Sequence, residues 1–242
     1  MTTKQIVFTL LTITIVSCNT TTKPKTLQKN SDNKITIIGA MKNVMWKGEL
    51  QGIIKLDTIT NKRGLFGIGP ESFLTGELLI NNGQSYVSRV LSDSTMIVHK
   101  TFNVSAPFFV YGNVEEWQKL TLPNNIVTIT DLEAFISKKT MTASHPFVFK
   151  LIGKVKKATI HVQNLPKGTK VASPQEAHQG QINYTLTNEP VEIIGFFSTE
   201  HQGIFTHHDS YMHMHLITKD ESKMGHLDDV NFEEMTLYIP LQ

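Results

Sequence analysis

Three histidines near the C-terminus have the types and the spacing that suit a metal ion. His213 and His215 are separated by one residue, so on a β-strand both rings would point to the same face. A polar turn with Asp220 and Glu221 at its tip would return the chain as a hairpin and place His215 directly opposite His226. Opposed residues on one face have Cβ atoms about 4.5–5.5 Å apart. The pattern therefore predicts three imidazoles that converge on one cation.

Such a trio is typical of a catalytic metal rather than of a closed structural site. Catalytic zinc is commonly held by three protein ligands, with Zn–N distances of about 2.0–2.1 Å and a further position left for water or substrate. The alternative is that the histidines lie on an exposed strand and bind nothing. The chain contains 10 histidines and short motifs match by chance, so spacing alone leaves both interpretations open.

The elements that must position these histidines are mostly strands. Asn82-Gly83 between two apolar runs is the pattern of a tight hairpin, and β-branched or aromatic segments bounded by Gly, Pro, Asn or Ser recur along the chain. Two helices are predicted, one that includes Met41 and one that begins near Thr130, which forms a capping-box pattern with Glu133. The expected fold class is α+β, with two mixed or mostly antiparallel β-sheet domains and few helices.

The N-terminal residues are typical of an export signal. Lys4 precedes an apolar run over residues 6–16, which is too short to span a bilayer because a spanning helix needs about 17–25 residues. The sequence Ile-Val-Ser-Cys that ends at Cys18 resembles the lipobox of bacterial lipoproteins, so Cys18 is the predicted lipidation site. The alternative is an ordinary signal peptide with an incidental cysteine.

These patterns divide the chain into four predicted segments. They are a lipoprotein signal peptide over residues 1–17, a flexible tether over 18–33, an N-terminal mixed-sheet domain over 34–140 and a C-terminal sheet domain with the histidines over 141–242. The expected location is therefore an exported protein, attached by its lipid anchor to a bacterial membrane on the periplasmic or outer-surface side.

Composition narrows the partners further. A formal net charge of +2 and 18% charged residues provide no strongly basic surface, so we do not expect nucleic acid as a partner. The sequence contains 1 cysteine, so a disulfide within the chain is not expected. Membrane contact is expected through the lipid anchor alone.

Two blocks of sequence together resemble one enzyme family. Residues 64–86, GLFGIGPESFLTGELLINNGQSY, are similar to the GLG…GEL…DG…Y segment of alpha-acetolactate decarboxylases, and residues 195–229 are similar to the family's GF…G…HLHF…GGHVLD segment. Residues 147–157 resemble the family strand that lies between them. The resemblance implies a zinc-dependent carboxy-lyase that converts 2-acetolactate to acetoin and carbon dioxide. It also implies a metal site between the two sheet domains, and a homodimer.

The resemblance gives roles to five residues. His213, His215 and His226 would hold Zn²⁺, which stabilises negative charge on the oxygens of a 2-hydroxy-3-keto acid substrate. Glu77, at the family's GEL glutamate, would be the general acid, although by itself it is typical of a surface strand glutamate. His161 stands where the family has an arginine that binds the substrate carboxylate, and it lacks arginine's bidentate fork. The alternative for His161 is a solvent-facing strand residue.

Departures from the family pattern favour a second hypothesis, a non-catalytic lipoprotein that keeps the fold and binds metal or a small ligand. The arginine is exchanged, the family's C-terminal acidic residue is expected to be absent, and acetolactate is a cytoplasmic metabolite. The segment before His213 is also longer than in the family. Its His207, His208 and Asp209 would supply a fourth ligand, close over the site or be solvated, and solvation is the favoured interpretation. His178 is interpreted as a surface or loop residue.

Overall fold

The structure is a computed structural model that describes Met1 and residues 33–141 and 146–241. The predicted signal peptide from residue 2 on, Cys18 and the predicted tether up to residue 32 lie outside the described residues. Contacts within the chain join Ser31–Gln242 into one compact unit. Of the helices within the described ranges, none has the length and apolar character that crossing a membrane requires.

Strands dominate the described residues, as the sequence predicts. The strands are β1 Ile35–Ile38, β2 Ile54–Lys55, β3 Leu65–Pro70, β4 Glu77–Asn81, β5 Gln84–Val90, β6 Met96–Lys100, β7 Ser105–Ala106, β8 Phe109–Asn113, β9 Trp117–Thr121, β10 Phe147–Val162, β11 Ile182–Phe197, β12 Met212–Thr218 and β13 Met224–Pro240. The helices are α1 Met41–Lys47, α2 Ile129–Lys139 and α3 Pro174–Ala177. The predicted α+β class is confirmed, and the pairings between these strands are antiparallel.

The first large sheet has the strand order β1-β8-β3-β4-β5-β6. The predicted hairpin is confirmed, since Asn82 and Gly83 join β4 to β5 with φ values of 48° and 83°, the positive values that a type I′ turn requires. Side chains of β4 alternate between the two faces, so Leu78 packs in a core of this sheet while Leu79 packs against the second sheet. Glu77 is on the same face as Leu79 and therefore points toward the second sheet.

The second large sheet closes on itself. Its strand order is β10-β11-β12-β13-β9, and β10 pairs with β13 as well as with β11. The predicted register is confirmed, because His215 lies directly opposite His226. On the other edge of β13, His226 lies opposite His161. A Cβ atom at Gly225 would lie 2.4 Å from the carbonyl oxygen of His161, so glycine is what permits β13 to approach β10 beside the histidines.

Two cores explain why the histidines of β12 point where they do. Met212, Met214 and Leu216 pack inside the closed sheet together with residues of α2. Burial of an aliphatic side chain of this size is worth about 1.5–3 kcal/mol, so these residues fix the face of the strand that turns inward. The opposite face carries His213, His215 and Ile217, and Ile217 packs in the core that the two sheets share. The histidines are therefore directed toward the first sheet.

Both predicted helices are present, but the N-terminal cap of the second helix was predicted at the wrong residues. The helix around Met41 is α1, as predicted. In α2 the capping box is formed by Thr128 and Asp131, whereas the sequence pattern pointed to Thr130 and Glu133. Both pairs have the required spacing, so the pattern by itself does not select between them. Glu133 is instead engaged by the chain before β12, where its carboxylate accepts hydrogen bonds at 2.6 and 2.8 Å.

The predicted boundary between residues 140 and 141 falls just after α2. However, β9 precedes this boundary and pairs with β13 of the second sheet. The two large sheets also share a core, to which Leu79 of β4 and Ile217 of β12 both contribute. The division of the chain into two separately folding domains stays a prediction.

Candidate metal centre

The histidine trio, by which we mean His213, His215 and His226, converges between the two sheets. The three residues are buried, with exposed fractions of 3%, 0% and 9%. Their ring centroids are separated by 5.1, 5.0 and 5.7 Å. Imidazoles on one tetrahedral zinc ion, with Zn–N distances of about 2.0–2.1 Å, have neighbouring centroids about 5 Å apart. The trio therefore has the spacing of rings that share a cation.

Unpartnered nitrogen atoms support the same conclusion. Within the described part of the chain, Nδ1 of His213 and both ring nitrogens of His215 are buried and make no hydrogen bond of normal length and angle, although the backbone of Phe205 acts on the pKa of His213 and that of Leu78 on the pKa of His215. An unsatisfied buried polar group costs about 1–3 kcal/mol, which coordination of a cation would relieve. Burial lowers the pKa of both histidines well below its usual value, and the neighbouring His226 lowers it further. Both rings are therefore neutral, the form that binds metal. These donors fit a zinc ion.

Asp228 orients two imidazoles at this centre. Its Oδ1 accepts hydrogen bonds from Nδ1 of His161 at 2.7 Å and from Nδ1 of His226 at 3.1 Å. Burial by itself would raise the pKa of Asp228, but these two hydrogen bonds outweigh burial and the pKa falls below its usual range. With Nδ1 of His226 directed at a carboxylate, Nε2 is the nitrogen left to bind a metal. Sequence reasoning missed Asp228, which lies two residues after His226 where β13 has an irregularity in its pairing with β10.

A second, overlapping set of ligand-type atoms shares His226 with the trio. One atom each from His161, His226 and Asp228 lie within 4.8 Å of one another. The hydrogen bonds from both Nδ1 atoms to the carboxylate account for the compactness of this set. Among the described residues, the β12 histidines have no carboxylate within hydrogen-bonding distance, which favours the trio over this set as the ligands of a cation. The assignment of His213, His215 and His226 as ligands stays a prediction.

Glu77 approaches the trio from the first sheet. Its Oε2 lies 3.7 Å from Nε2 of His215, and its Oε1 lies 3.8 Å from Nε2 of His161. Glu77 is 3% exposed, so the interpretation as a surface glutamate is wrong. Burial raises the pKa of Glu77 well above its usual value, a hydrogen bond from the Gln163 backbone opposes this, and the charge of Asp228 adds to it. A carboxyl group with a raised pKa retains the proton that a general acid must donate.

His161 is 6% exposed, so the interpretation as a solvent-facing residue is also wrong. Its ring stacks on that of His226 with 4.6 Å between centroids. Its Nδ1 is bonded to Asp228, which leaves Nε2 directed toward Glu77. The role of His161 in binding a substrate carboxylate stays a prediction.

In the segment before β12, two of the three ligand-type residues are solvated as predicted and one is not. The side chains of His208 and Asp209 are 91% and 73% exposed, as solvation predicts. His207 is half-buried, and its Nε2 lies 3.2 Å from Nε2 of His226. Burial lowers the pKa of His207 to about 4, and His226 contributes to the same shift. His178, interpreted as a surface or loop residue, is exposed but has its ring 6.2 Å from that of His161.

Two cavities meet at the histidines. An inner cavity of about 30 Å³ is bounded by residues that include Glu77, His161, His178, His207, His213 and His226. An outer cavity of about 240 Å³ is bounded by residues that include His207, Asp209, Ser210, His213, His226 and Asp228. A larger groove of about 950 Å³ near Leu50 and Phe73 lacks the histidines. Chemistry rather than volume therefore locates the site.

The comparison with protein families decides what this arrangement belongs to. The sequence profile of the alpha-acetolactate decarboxylases matches residues 37–241. The chain belongs to the alpha-acetolactate decarboxylase family. Family membership confirms the resemblance that the GEL and His-x-His blocks indicated.

Individual members of the family are distant from this chain. The alpha-acetolactate decarboxylase of Brevibacillus brevis is 24% identical over 199 residues, which cover 81% of this chain and 66% of that protein. The alpha-acetolactate decarboxylase of Lactococcus lactis subsp. cremoris is 26% identical over 185 residues, with coverage of 74% and 72%. This chain therefore matches just under two thirds of the length of the Brevibacillus protein.

Solved structures share the fold. The alpha-acetolactate decarboxylase of Bacillus subtilis strain 168 has a TM-score of 0.71 at 24% identity, with coverage of 86% of this chain and 85% of that one. A Staphylococcus aureus protein of unknown function, described as similar to alpha-acetolactate decarboxylase, has a TM-score of 0.72 at 17% identity, with coverage of 85% and 84%. These neighbours show that the family fold is retained at low sequence identity.

Proposed function

We propose that this chain is a zinc-dependent decarboxylase that converts 2-acetolactate to acetoin and carbon dioxide. Family membership supports the reaction, and one observation carries the proposal to this chain. The buried carboxyl group of Glu77 lies 3.7 Å from Nε2 of His215 and 3.8 Å from Nε2 of His161, where the two sheets meet. An acid is thus positioned beside a set of metal donors.

The reaction needs stabilisation of charge and delivery of a proton. Loss of carbon dioxide leaves an electron pair on the carbon next to the keto group, and that charge spreads onto oxygen. His213, His215 and His226 would hold a zinc ion, which would supply Lewis-acid stabilisation of this charge. Asp228 keeps the ring of His226 in a fixed tautomer, with Nε2 available. Glu77 then donates its proton to the carbon, and that proton is retained until needed because burial raises the pKa of Glu77.

His161 is the residue available for the substrate carboxylate. Its Nδ1 is held by Asp228 at 2.7 Å, so Nε2 faces the site. This nitrogen donates a hydrogen bond when the ring carries both protons, and then offers one N–H where arginine offers a fork. His161 should therefore hold a substrate carboxylate less firmly than an arginine would.

Acetoin release from racemic 2-acetolactate tests this proposal. The mature protein loaded with zinc should release acetoin well above the spontaneous rate. His213→Ala should lose both metal and activity, whereas Glu77→Gln should retain metal and turn over about 10²–10⁴-fold more slowly, the usual contribution of a general acid. His99→Ala, an exposed residue on β6, is the matched control. Acetoin release no faster than the spontaneous reaction, from metal-loaded protein, would refute the proposal.

A specific observation favours a second candidate function, metal or small-ligand binding without catalysis. The inner cavity, which Glu77 and His161 border, measures about 30 Å³ and holds one or two water molecules rather than a hydroxy-keto acid, and neither residue borders the outer cavity of about 240 Å³. Elemental analysis combined with the acetoin assay separates the two functions. Stoichiometric zinc without turnover supports the binding protein, whereas turnover supports the decarboxylase.

We also propose that the protein is exported and anchored by a lipid on Cys18, on the periplasmic or outer-surface side of a bacterial membrane. The support is the sequence alone, an apolar run followed by Ile-Val-Ser-Cys. Wild-type protein should fractionate with membranes, and Cys18→Ser should not. A homodimer, which family resemblance implies, would appear as twice the chain mass in light scattering.

A further inference from the structure

We infer that His207 is a fourth nitrogen ligand of the metal, which closes the site in the resting protein. The inference rests on the proposed metal site and adds a ligand to it. It has three supports: the anchoring of the loop that carries His207, the separation of its ring from that of His226, and the position of His207 between the two cavities.

The β11–β12 loop, residues 198–211, holds His207 in place from both sides. Before it, Phe205 and Thr206 are 1% and 0% exposed, and Phe205 packs in the core that the two sheets share. After it, the Ser210 hydroxyl and the Tyr211 backbone N–H donate to the Glu133 carboxylate at 2.6 and 2.8 Å. The exposed His208 and Asp209 lie between these anchors. The inward position of His207 therefore follows from the packing of its neighbours.

The α1 helix fixes the same loop from a third direction. The backbone N–H of Met41 donates to the carbonyl of Ile204 at 2.7 Å, and that of Lys42 donates to Gly203 at 3.0 Å. These bonds involve the first helical residues, whose N–H groups have no partner within the helix. The start of the loop is thus tied to an element that also borders the inner cavity through Met41.

The separation of two nitrogens is what points to coordination. Nε2 of His207 and Nε2 of His226 are 3.2 Å apart. Two nitrogens bound tetrahedrally to one zinc ion, each at about 2.0–2.1 Å, are separated by about 3.3–3.4 Å. Nδ1 of His226 is already directed at Asp228, so the atom that faces His207 is the one that His226 has available for a metal. The ring centroids of His207 and His226 are 5.2 Å apart, close to the 5.0 Å between His213 and His226.

The position of His207 determines how a substrate would reach the metal. His207, His213 and His226 border both the inner cavity of about 30 Å³ and the outer cavity of about 240 Å³. His207 would bring the number of protein nitrogens to four, the number in a closed zinc site, once its ring moves closer than the present 6.2 Å to that of His213. A substrate that chelates through two oxygens therefore has to displace His207, and the outer cavity is the side from which it would do so.

A hydrogen bond is the competing explanation for the same distance. In a metal-free protein, Nε2–H of His207 could donate to the unprotonated Nε2 of His226, and 3.2 Å is within the range of such a bond. In that case His207 leaves or turns away when the metal binds. The two explanations differ in the number of imidazoles around the bound ion.

Two measurements report the number of imidazoles: the absorption spectrum of the protein with Co²⁺ in place of zinc, and X-ray absorption spectroscopy of the zinc form. We would compare wild type, His207→Ala, His207→Gln and the matched control His208→Ala, which removes an exposed histidine next in the chain. Circular dichroism checks that each variant folds, and a chromophoric chelator measures metal affinity. The extended fine structure beyond the zinc absorption edge should be fitted by four imidazole nitrogens in wild type and in His208→Ala.

Both His207 variants should lose one imidazole from the absorption fit. Their Co²⁺ spectra should change in intensity as water replaces the nitrogen, and metal affinity should fall at least about tenfold. Unchanged spectra and affinity in folded His207 variants would overturn the inference while leaving the histidine trio intact. Absence of metal binding in every protein, wild type included, would overturn the inference and the metal site together, so the two failures are distinguishable.

Discussion

Asp228 lies outside the trio but orients one of its members, so the proposed metal site should be sensitive to its replacement. In Asp228→Ala, the Nδ1–H groups of His161 and His226 lose the oxygen that accepts them at 2.7 and 3.1 Å. The ring of His226 is then free to rotate or to change tautomer, so Nε2 is no longer held toward the metal. We expect weaker zinc binding even though every member of the trio is still present.

The expected loss of zinc affinity follows from the role of Asp228 in orienting His226. Loss of a partner that orients a metal-bound imidazole typically reduces metal affinity about 10–100-fold. That factor corresponds to about 1.4–2.7 kcal/mol of binding free energy. Asp228→Asn keeps an oxygen at the same place but loses its charge, and hydrogen bonds to charged groups are about twice as strong as neutral ones. The asparagine variant should therefore lie between alanine and wild type.

Competition with a chromophoric chelator measures these affinities in metal-free protein. Asp229→Ala is the matched control, since Asp229 is the next residue, is exposed and has no hydrogen bond to the histidines among the described residues. The expected order of zinc affinity is wild type and Asp229→Ala, then Asp228→Asn, then Asp228→Ala. Equal affinities for Asp228→Ala and Asp229→Ala would refute the idea that this carboxylate orients a metal ligand.

Three further predictions test the cap, a strand contact and the neutral histidines. Thr128→Ala should lower the free energy of unfolding in urea by about 1 kcal/mol, whereas Thr130→Ala should change it by less than about 0.5 kcal/mol; the reverse order would contradict the observed cap. Gly225→Ala should destabilise the protein by about 1–3 kcal/mol, because its Cβ would lie 2.4 Å from the His161 carbonyl oxygen, and an unchanged melting temperature would contradict this. The metal-free protein should melt at a lower temperature at pH 5 than at pH 7. The lowered pKa values of the β12 histidines keep the folded rings neutral while the unfolded chain takes up protons, so acid favours unfolding; equal melting temperatures would argue against it.

The register at the site could be predicted because it depends on local sequence. A polar turn between His215 and His226 fixes which residues are opposed, and the two-residue period of a strand fixes which face they share. The same reasoning located the hairpin at Asn82 and Gly83. In both cases the information lies within a few residues of the turn.

Other features of the site could not be predicted from local sequence, because they depend on the packing of segments that are distant in the chain. Glu77 has the same pattern as a surface strand glutamate, and it is buried because the second sheet covers that face of β4. The inward position of His207 depends on Glu133 and on the burial of Phe205, neither of which has a periodic signature in the loop sequence. The cap of α2 was misplaced because two threonine–acid pairs have identical spacing.

The closed second sheet has a consequence for the motions of this molecule. Strands β10 and β13 are each hydrogen-bonded on both sides where they carry His161 and His226, so amide protons there exchange with solvent only when the sheet itself comes apart. His208 and Asp209 in the β11–β12 loop lie outside the strands, and their side chains are 91% and 73% exposed. Deuterium uptake should therefore be slow in β10 and β13 and fast at His208 and Asp209. Movement of this part of the loop would open the interior to solvent without breaking the sheet.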